Sequence, residues 1–377
     1  MYSRLRPLLF HLDPEQAHAL TLRLLRWAGQ LPITHYLLRS LLAVADPRLE
    51  VEAFGIKFKN PVGLAAGYDK NGTAVRGLSC LGFGHVEVGT VTRQPQVGSP
   101  RPRVHRVPEA GALINHMGFP NAGVEALRVE SGRWKAVSPR RAGVLRDGPN
   151  GMEGGVRIGI NIGKGKETRL EKAAEDYCEL IRGVHAQADY VALNVSSPNT
   201  PGLRQLQART TLEEVLAAVV AVRDGLTPRV PLLVKIAPDL TEGEIDDLLS
   251  VVVACGVDGV IATNTTVRRE GVPDDAAGLP GGLSGLPLKA RATEVVRYIA
   301  RRTEGRLPII GVGGIASAAD ALEKLRAGAS LVQVYTGLVY VGPGLTHHIN
   351  AGLLQACEAQ GVKSVRDLAG ALAELSR

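Results

Sequence analysis

The chain has only four cysteines in 377 residues, Cys80, Cys178, Cys255 and Cys357, with no C-x-x-C pair and no metal-ligand spacing among them. That scatter argues against a disulfide scaffold or a cysteine-built metal site and reads as reduced packing residues. Phe, Trp and Tyr together make up 4% of the chain, and no basic stretch is interleaved with aromatics. A base-stacking nucleic-acid surface is therefore not expected. No run approaches the roughly 18 uncharged apolar residues of a spanning helix, and residues 1–30 lack the uninterrupted apolar centre and small-residue cleavage site of a signal peptide.

What is present suits a large soluble α/β protein. The chain is 45% hydrophobic, holds 44 glycines and exceeds the roughly 250 residues of a bare α/β barrel, so one large domain with extensions is the simplest organisation. A formal charge of +7 fits acidic ligands or an anionic lipid surface. Part of the excess lies in residues 1–48, where six arginines face Asp13, Glu15 and Asp46. More lies in residues 128–157, a segment rich in Gly, Pro and Ser that reads as a solvated loop.

Short β-rich runs alternate with helical patterns eight times. The strands are expected at Pro61–Gly67, His85–Val91, Val156–Ile162, Tyr190–Ser196, Leu232–Ala237, Gly259–Thr265, Leu307–Gly314 and Leu331–Gly337. Helices are expected at Glu171–Gln187, Thr211–Asp224, Thr241–Ala254, Leu288–Arg302 and Ser317–Ala327, with Thr241 and Ser317 as N-caps and Glu244 completing a capping box. Eight βα units predict a closed (β/α)8 TIM barrel, a doubly wound open sheet being the alternative.

Polar residues collect at the carboxyl ends of these strands, where barrel active sites lie. They are Asp69 and Lys70, Thr90, Asn161, Asn194 with Ser196 and Ser197, Lys235, Thr263 to Thr265, Gly313 with Gly314, and Tyr335 with Thr336. The loop Asn194-Val195-Ser196-Ser197-Pro198-Asn199-Thr200-Pro201-Gly202 delivers amides and hydroxyls from a buried strand into a segment stiffened by two prolines, an arrangement suited to a small planar polar ligand. An ordinary Asx/Ser-rich turn is the plain alternative. Gly311-Val312-Gly313-Gly314-Ile315-Ala316-Ser317 and Tyr335-Thr336-Gly337 occupy the loops after strands seven and eight, the usual barrel phosphate site. The pattern is not a dinucleotide G-x-G-x-x-G after a first strand, so FMN is favoured over NAD. Lys235 would set a cation beside the flavin N1/C2 edge, where negative charge accumulates on reduction.

Eight segments in order carry a resemblance over nearly the whole chain. They are Ala65–Lys70, Asn115–Phe119, Asn161–Lys164, Asn194–Gly202, Val234–Asp239, Ala262–Thr266, Gly281–Gly285 and Gly311–Ile315, and together they resemble dihydroorotate dehydrogenase. Ser197 stands where class 1 enzymes have cysteine, and an extension precedes the barrel, so the resemblance is to class 2, the membrane-associated, quinone-reducing form. It implies oxidation of (S)-dihydroorotate to orotate in de novo pyrimidine (UMP) biosynthesis, the C5 proton going to a base and the C6 hydride to flavin N5. Ser197 would be the base. A serine hydroxyl is a poor base near neutral pH and needs activation, for which a relay through Thr200 and water beneath Phe119 is our hypothesis. Lys70, Asn115, His116, Met117, Gly118, Phe119, Asn194, Asn199, Asn264 and Thr265 would bind substrate. Ala66, Gly67, Thr90, Asn161, Asn194, Lys235, Thr263, Gly285, Gly314, Tyr335 and Thr336 would bind one FMN per chain, with no metal.

Residues 1–46 read as two short amphipathic helices flanked by arginines, either a cap docked on residues 47–377 or an interfacial anchor that also forms a tunnel for the quinone tail. The resemblance favours the second. It implies a monomer held peripherally at the cytoplasmic face of the cell membrane, with Arg103 and Tyr335 near the quinone head. Tyr68 and His116 depart from the usual family residues, and the connection at 128–155 is longer than the family needs. Another FMN barrel oxidoreductase, such as a class 1 enzyme or a hydroxy-acid oxidase, and a non-catalytic flavin-binding membrane module are the rival readings.

Overall fold

The computed structural model describes residues 2–135 and 156–368. Eight parallel strands close a barrel: β1 Val62–Leu64, β2 His85–Val91, β3 Arg157–Ile162, β4 Tyr190–Asn194, β5 Leu232–Ile236, β6 Gly259–Ala262, β7 Ile309–Val312 and β8 Leu331–Val334. Each pairs with its neighbours in sequence, and β8 pairs with β1. These are the eight expected strands. Most end earlier than expected at their carboxyl ends, because Thr263 to Thr265, Gly313 and Gly314, and Tyr335 already belong to the loops. The strands are almost wholly buried, as parallel strands covered on both faces must be.

The outer helices start where their caps direct. Thr241 and Glu244 form the reciprocal capping box ahead of Glu242–Ala254, and the Ser317 hydroxyl accepts the Asp320 amide ahead of Ala318–Arg326. Three features lie outside the sequence expectation. A hairpin, Val51–Ala53 with Ile56–Phe58, precedes the first barrel strand. An antiparallel sheet of Val104–Val107, Ala112–Asn115 and Gly282–Gly285 carries Asn115 and Gly285. A helix occupies Gly123–Lys135, so the first part of the expected 128–157 loop is helical. Its inward residues Val124, Leu127, Ser131 and Trp134 keep helical spacing, but with too few apolar members to show in composition. Residues 136–155 of that expected loop lie outside the described residues.

The amino-terminal segment holds three helices rather than two: α1 Tyr2–His11, α2 Pro14–Gln30 and α3 Pro32–Leu42. The Asp13 carboxylate caps α2 by accepting the Glu15 and Gln16 amides, and Pro32 starts a new helix because it fits a first turn. Helix α2 packs backbone to backbone on α4, Val75–Ser79. A Cβ on Gly77 would lie 1.9 Å from the Leu25 carbonyl oxygen, and one on Gly29 would lie 2.4 Å from the Gly77 nitrogen. Only glycine permits that approach. Among the described residues no helix is long and apolar enough to cross a membrane.

Candidate active site

One cavity of about 520 Å³ opens at the carboxyl end of the barrel and runs beneath α1, α2 and α3. All the residues expected to bind substrate or cofactor or to act as base line it except His116 and Asn161. Arg103, expected near the quinone head, and Thr200, expected in the proton relay, are buried and do not line it. The His116 amide donates to the Arg103 carbonyl at 2.8 Å, holding that residue beside the cavity wall. Asn161 is fully buried one layer below.

The polar wall is a connected set of amides. Asn194 Nδ2 donates to Thr90 Oγ1 at 3.1 Å and to Asn161 Oδ1 at 3.2 Å, and Thr90 Oγ1 donates to Asn161 Oδ1 at 2.7 Å. Asn264 Nδ2 donates to Asn194 Oδ1 at 3.1 Å and to Ser196 Oγ at 3.0 Å. Asn199 Nδ2 donates to Asn115 Oδ1 at 3.0 Å. Two buried acceptor or donor groups on this wall, Asn199 Oδ1 and Thr265 Oγ1, have no protein partner. Buried polar atoms are normally paired, so these two suit a ligand bearing both donors and acceptors.

Ser197 lies in the loop after β4, 5% exposed, and its Oγ accepts the Asn199 amide at 3.2 Å. Lys70 Nζ donates to the Gly67 carbonyl at 2.6 Å. Burial lowers its pKa to about 8, against the opposing pull of Glu15 on α2. An ammonium with this weakened hydration is primed for an anionic partner. Lys235 enters from the end of β5 and lies 3.6 Å from Glu87 Oε1.

At the far side the loops after β7 and β8 meet. Gly314 has φ +71°, and a Cβ there would fall 2.4 Å from Lys289 Cβ, so the loop conformation itself requires glycine. Thr336 Oγ1 and Ser284 Oγ are 2.9 Å apart on the same wall. Glycine turns, hydroxyls and the Lys235 cation form a donor set that suits a phosphorylated, electron-accepting cofactor.

The extension supplies an apolar wall through Leu9, Phe10, Ala17, Leu24 and Leu38. Two polar side chains, Glu15 and His18, were not expected there. Burial, with Lys70 nearby, lowers the His18 pKa to about 3. His18 meets the Tyr68 ring edge-on at 4.9 Å, and Tyr68 meets Tyr335 at 5.7 Å. The departure at Tyr68 thus has a packing role between extension and barrel. Arg103 is engaged by Glu15 at 3.0 Å and by the Val97 and Ser99 carbonyls at 2.6 and 2.8 Å, while Arg106 lines the cavity with its guanidinium 4.6 Å from the Phe10 ring centre. Sequence reasoning also missed Glu87 and Gln333 on the barrel floor. Their one signal was a charged or amide residue inside an otherwise apolar strand.

Comparison with known proteins identifies the family. The sequence profile described as dihydroorotate dehydrogenase matches residues 48–356. The dihydroorotate dehydrogenase (quinone) of Methylococcus capsulatus is 50% identical over 352 residues, covering 92% of this chain and 96% of that protein. The protein of the same name from Roseiflexus sp. (strain RS-1) is 44% identical, covering 99% and 98%. The crystal structure of DHODH from Eimeria tenella in complex with ferulenol superposes with a TM-score of 0.85 at 36% identity, covering 96% of this chain and 98% of that one.

Proposed function

The chain belongs to the dihydroorotate dehydrogenase family, and from that membership we propose how its cavity divides the work. The protein oxidises dihydroorotate to orotate in pyrimidine biosynthesis and passes the electrons to a quinone. The family is flavin-dependent in general. FMN, one per chain, is the form the glycine loops after β7 and β8 suit. When bound it would accept hydride from substrate and return electrons to the quinone.

Ala66, Gly67, Thr90, Thr263, Gly285, Gly314, Tyr335 and Thr336 would hold that cofactor, with Lys235 against its electron-rich edge and Asn161 supporting from below. Lys70 would bind the substrate carboxylate, while Asn115, Asn194, Asn199, Asn264 and Thr265 match the donors and acceptors of the pyrimidine ring. His116, Met117, Gly118 and Phe119 would form the segment that covers it. Ser197 would take the C5 proton. A serine hydroxyl is a weak base, and among the described residues no imidazole or carboxylate hydrogen-bonds to it, so the proton must leave by a relay. Buried Thr200 and water beneath Phe119 are the proposed path. The segment 1–46 would form the quinone tunnel and rest peripherally on the cytoplasmic face of the membrane, with the protein monomeric.

The observation that carries this reading is the single cavity joining the polar barrel face to the leucine-lined helices. The test is anaerobic addition of dihydroorotate to the purified protein, followed by a quinone. Flavin at one per chain should bleach with substrate and regain its colour with quinone. Protein that binds no FMN when supplied with it, or flavin that dihydroorotate leaves unbleached, would end the reading.

A further inference from the structure

Below the cavity, in the barrel interior, lies a carboxylate that the proposed chemistry leaves unused. Glu87 on β2 is 0% exposed, and side chains from four other barrel strands meet it. Its Oε1 accepts from Asn161 Nδ2 at 2.9 Å and lies 3.6 Å from Lys235 Nζ. Its Oε2 accepts from the Tyr190 hydroxyl at 3.1 Å and from Gln333 Nε2 at 2.8 Å.

An ionised carboxylate only accepts hydrogen bonds, so Asn161 must turn its NH2 toward Glu87 and its oxygen toward the cavity. That oxygen accepts from Thr90 Oγ1 and from Asn194 Nδ2. Asn194 is thereby fixed with its own oxygen facing Asn264 Nδ2, and Asn264 Oδ1 takes the Thr265 amide at 2.8 Å. One acceptor below the cavity thus sets the direction of three amides in series. The same carboxylate is the ion-pair partner of Lys235, so it both steers that ammonium and offsets its charge.

We propose that Glu87 is a positioning residue, which orients the substrate-facing amides through Asn161 and holds and neutralises Lys235 beneath the cofactor. The proposal rests on the reading of this cavity as an FMN and substrate site. Glu87→Gln is nearly isosteric, but one of its two faces must now donate, toward Asn161 or toward Tyr190 and Gln333, and Lys235 loses its anion. An uncompensated cation favours the electron-rich reduced flavin. The flavin midpoint potential of Glu87→Gln should therefore rise, a tenfold gain for the reduced form corresponding to about 30 mV. Orotate affinity, read from the flavin spectrum, should fall by about tenfold as the amide chain loses its direction. Glu87→Asp keeps the charge but withdraws it by one methylene, so its potential should stay near that of the wild type while orotate binding still weakens. A yellow Glu87→Gln with unmoved potential and unmoved orotate affinity would overturn the positioning role alone. Should Glu87→Gln fail to fold, unaltered orotate affinity in Glu87→Asp would do the same. A wild-type protein that takes up no flavin would overturn both readings together.

Discussion

The two walls of the cavity are built on opposite plans. The barrel wall is set by strands that are almost wholly buried, and its polar side chains bond mostly to one another. In the extension, α1 and α3 bury no residue and α2 buries only Ala17 and Gly29. Leu8, Trp27, Ile33, Tyr36 and Leu41 are between 59% and 74% exposed. A rigid polar face suits chemistry that depends on orientation. A loosely covered apolar face suits admission of a greasy acceptor and contact with a lipid surface. The contrast predicts that damage to one wall should spare the half-reaction of the other.

The largest expected effect falls on the barrel wall. Ser197→Ala should keep flavin and near-normal orotate binding while stopped-flow flavin reduction by dihydroorotate slows by about 10²–10⁴-fold, as for loss of a proton acceptor. Reoxidation by quinone should be unaffected. Reduction at wild-type speed would remove Ser197 from the mechanism. Ser196→Ala is not a neutral control, because Ser196 Oγ contacts Asn194 and Asn264. Loss of flavin in a variant such as Gly314→Val would not locate the phosphate, since a side chain there distorts the loop against Lys289 whether or not a ligand binds.

Next in size is removal of the other wall. A chain beginning near Pro47 should still be reduced by dihydroorotate, should lose most reduction of long-tailed quinones, and should retain some activity with small soluble acceptors. Salt-sensitive binding to anionic vesicles should disappear with it. Equal loss of both half-reactions would show that α2, packed on α4 through Gly29 and Gly77, supports the whole site.

The barrel wall was far more legible in sequence than the extension wall, for physical reasons. Parallel strands produce continuous β-branched runs, and side chains at their carboxyl ends must converge, so Thr90, Asn194 and Lys235 could be placed from strand order alone. The antiparallel sheet that carries Asn115 has short strands separated widely in sequence, and nothing local records that Ala112–Asn115 pairs with Gly282–Gly285. Glu87 and Gln333 were passed over because a polar residue within a strand has no periodic signature. Helix α3 was merged with α2 because their apolar patterns run on across Pro32.

A smaller effect concerns proton balance on the barrel wall. Lys70 has its pKa lowered to about 8 from an ordinary value of about 10.4, so it is charged below pH 8 and neutral well above it. If its ammonium pairs with the orotate carboxylate, affinity should be constant below about pH 8 and fall by about tenfold per unit above it. The same shift bears on stability. Between about pH 8 and 10.4 the unfolded chain holds a proton that the folded chain lacks, so Lys70 makes stability rise with pH in that window. Spectral titration of orotate against pH checks the first point, and an affinity flat from pH 7 to 10 would discard the ion pair.

The smallest effect crosses from one wall to the other. Glu15 belongs to α2, yet after burial its charge is the largest influence on Lys70, and it acts to raise the pKa. Glu15 also engages Arg103 at 3.0 Å, and Arg103 disfavours the charged form of Lys70. Glu15→Gln removes the attraction while the opposing Arg103 charge remains, so the Lys70 pKa falls below about 8. The alkaline fall in orotate affinity should then begin at lower pH, with a few-fold loss at pH 8 and little change at pH 6, where Lys70 stays charged. Quinone-dependent turnover at pH 6 separates this from simple undocking of α2, because undocking would depress quinone reduction at every pH. If the alkaline limb stays in place in Glu15→Gln, the two walls are electrostatically independent. If it moves, the extension also sets the charge of the residue proposed to bind the substrate carboxylate.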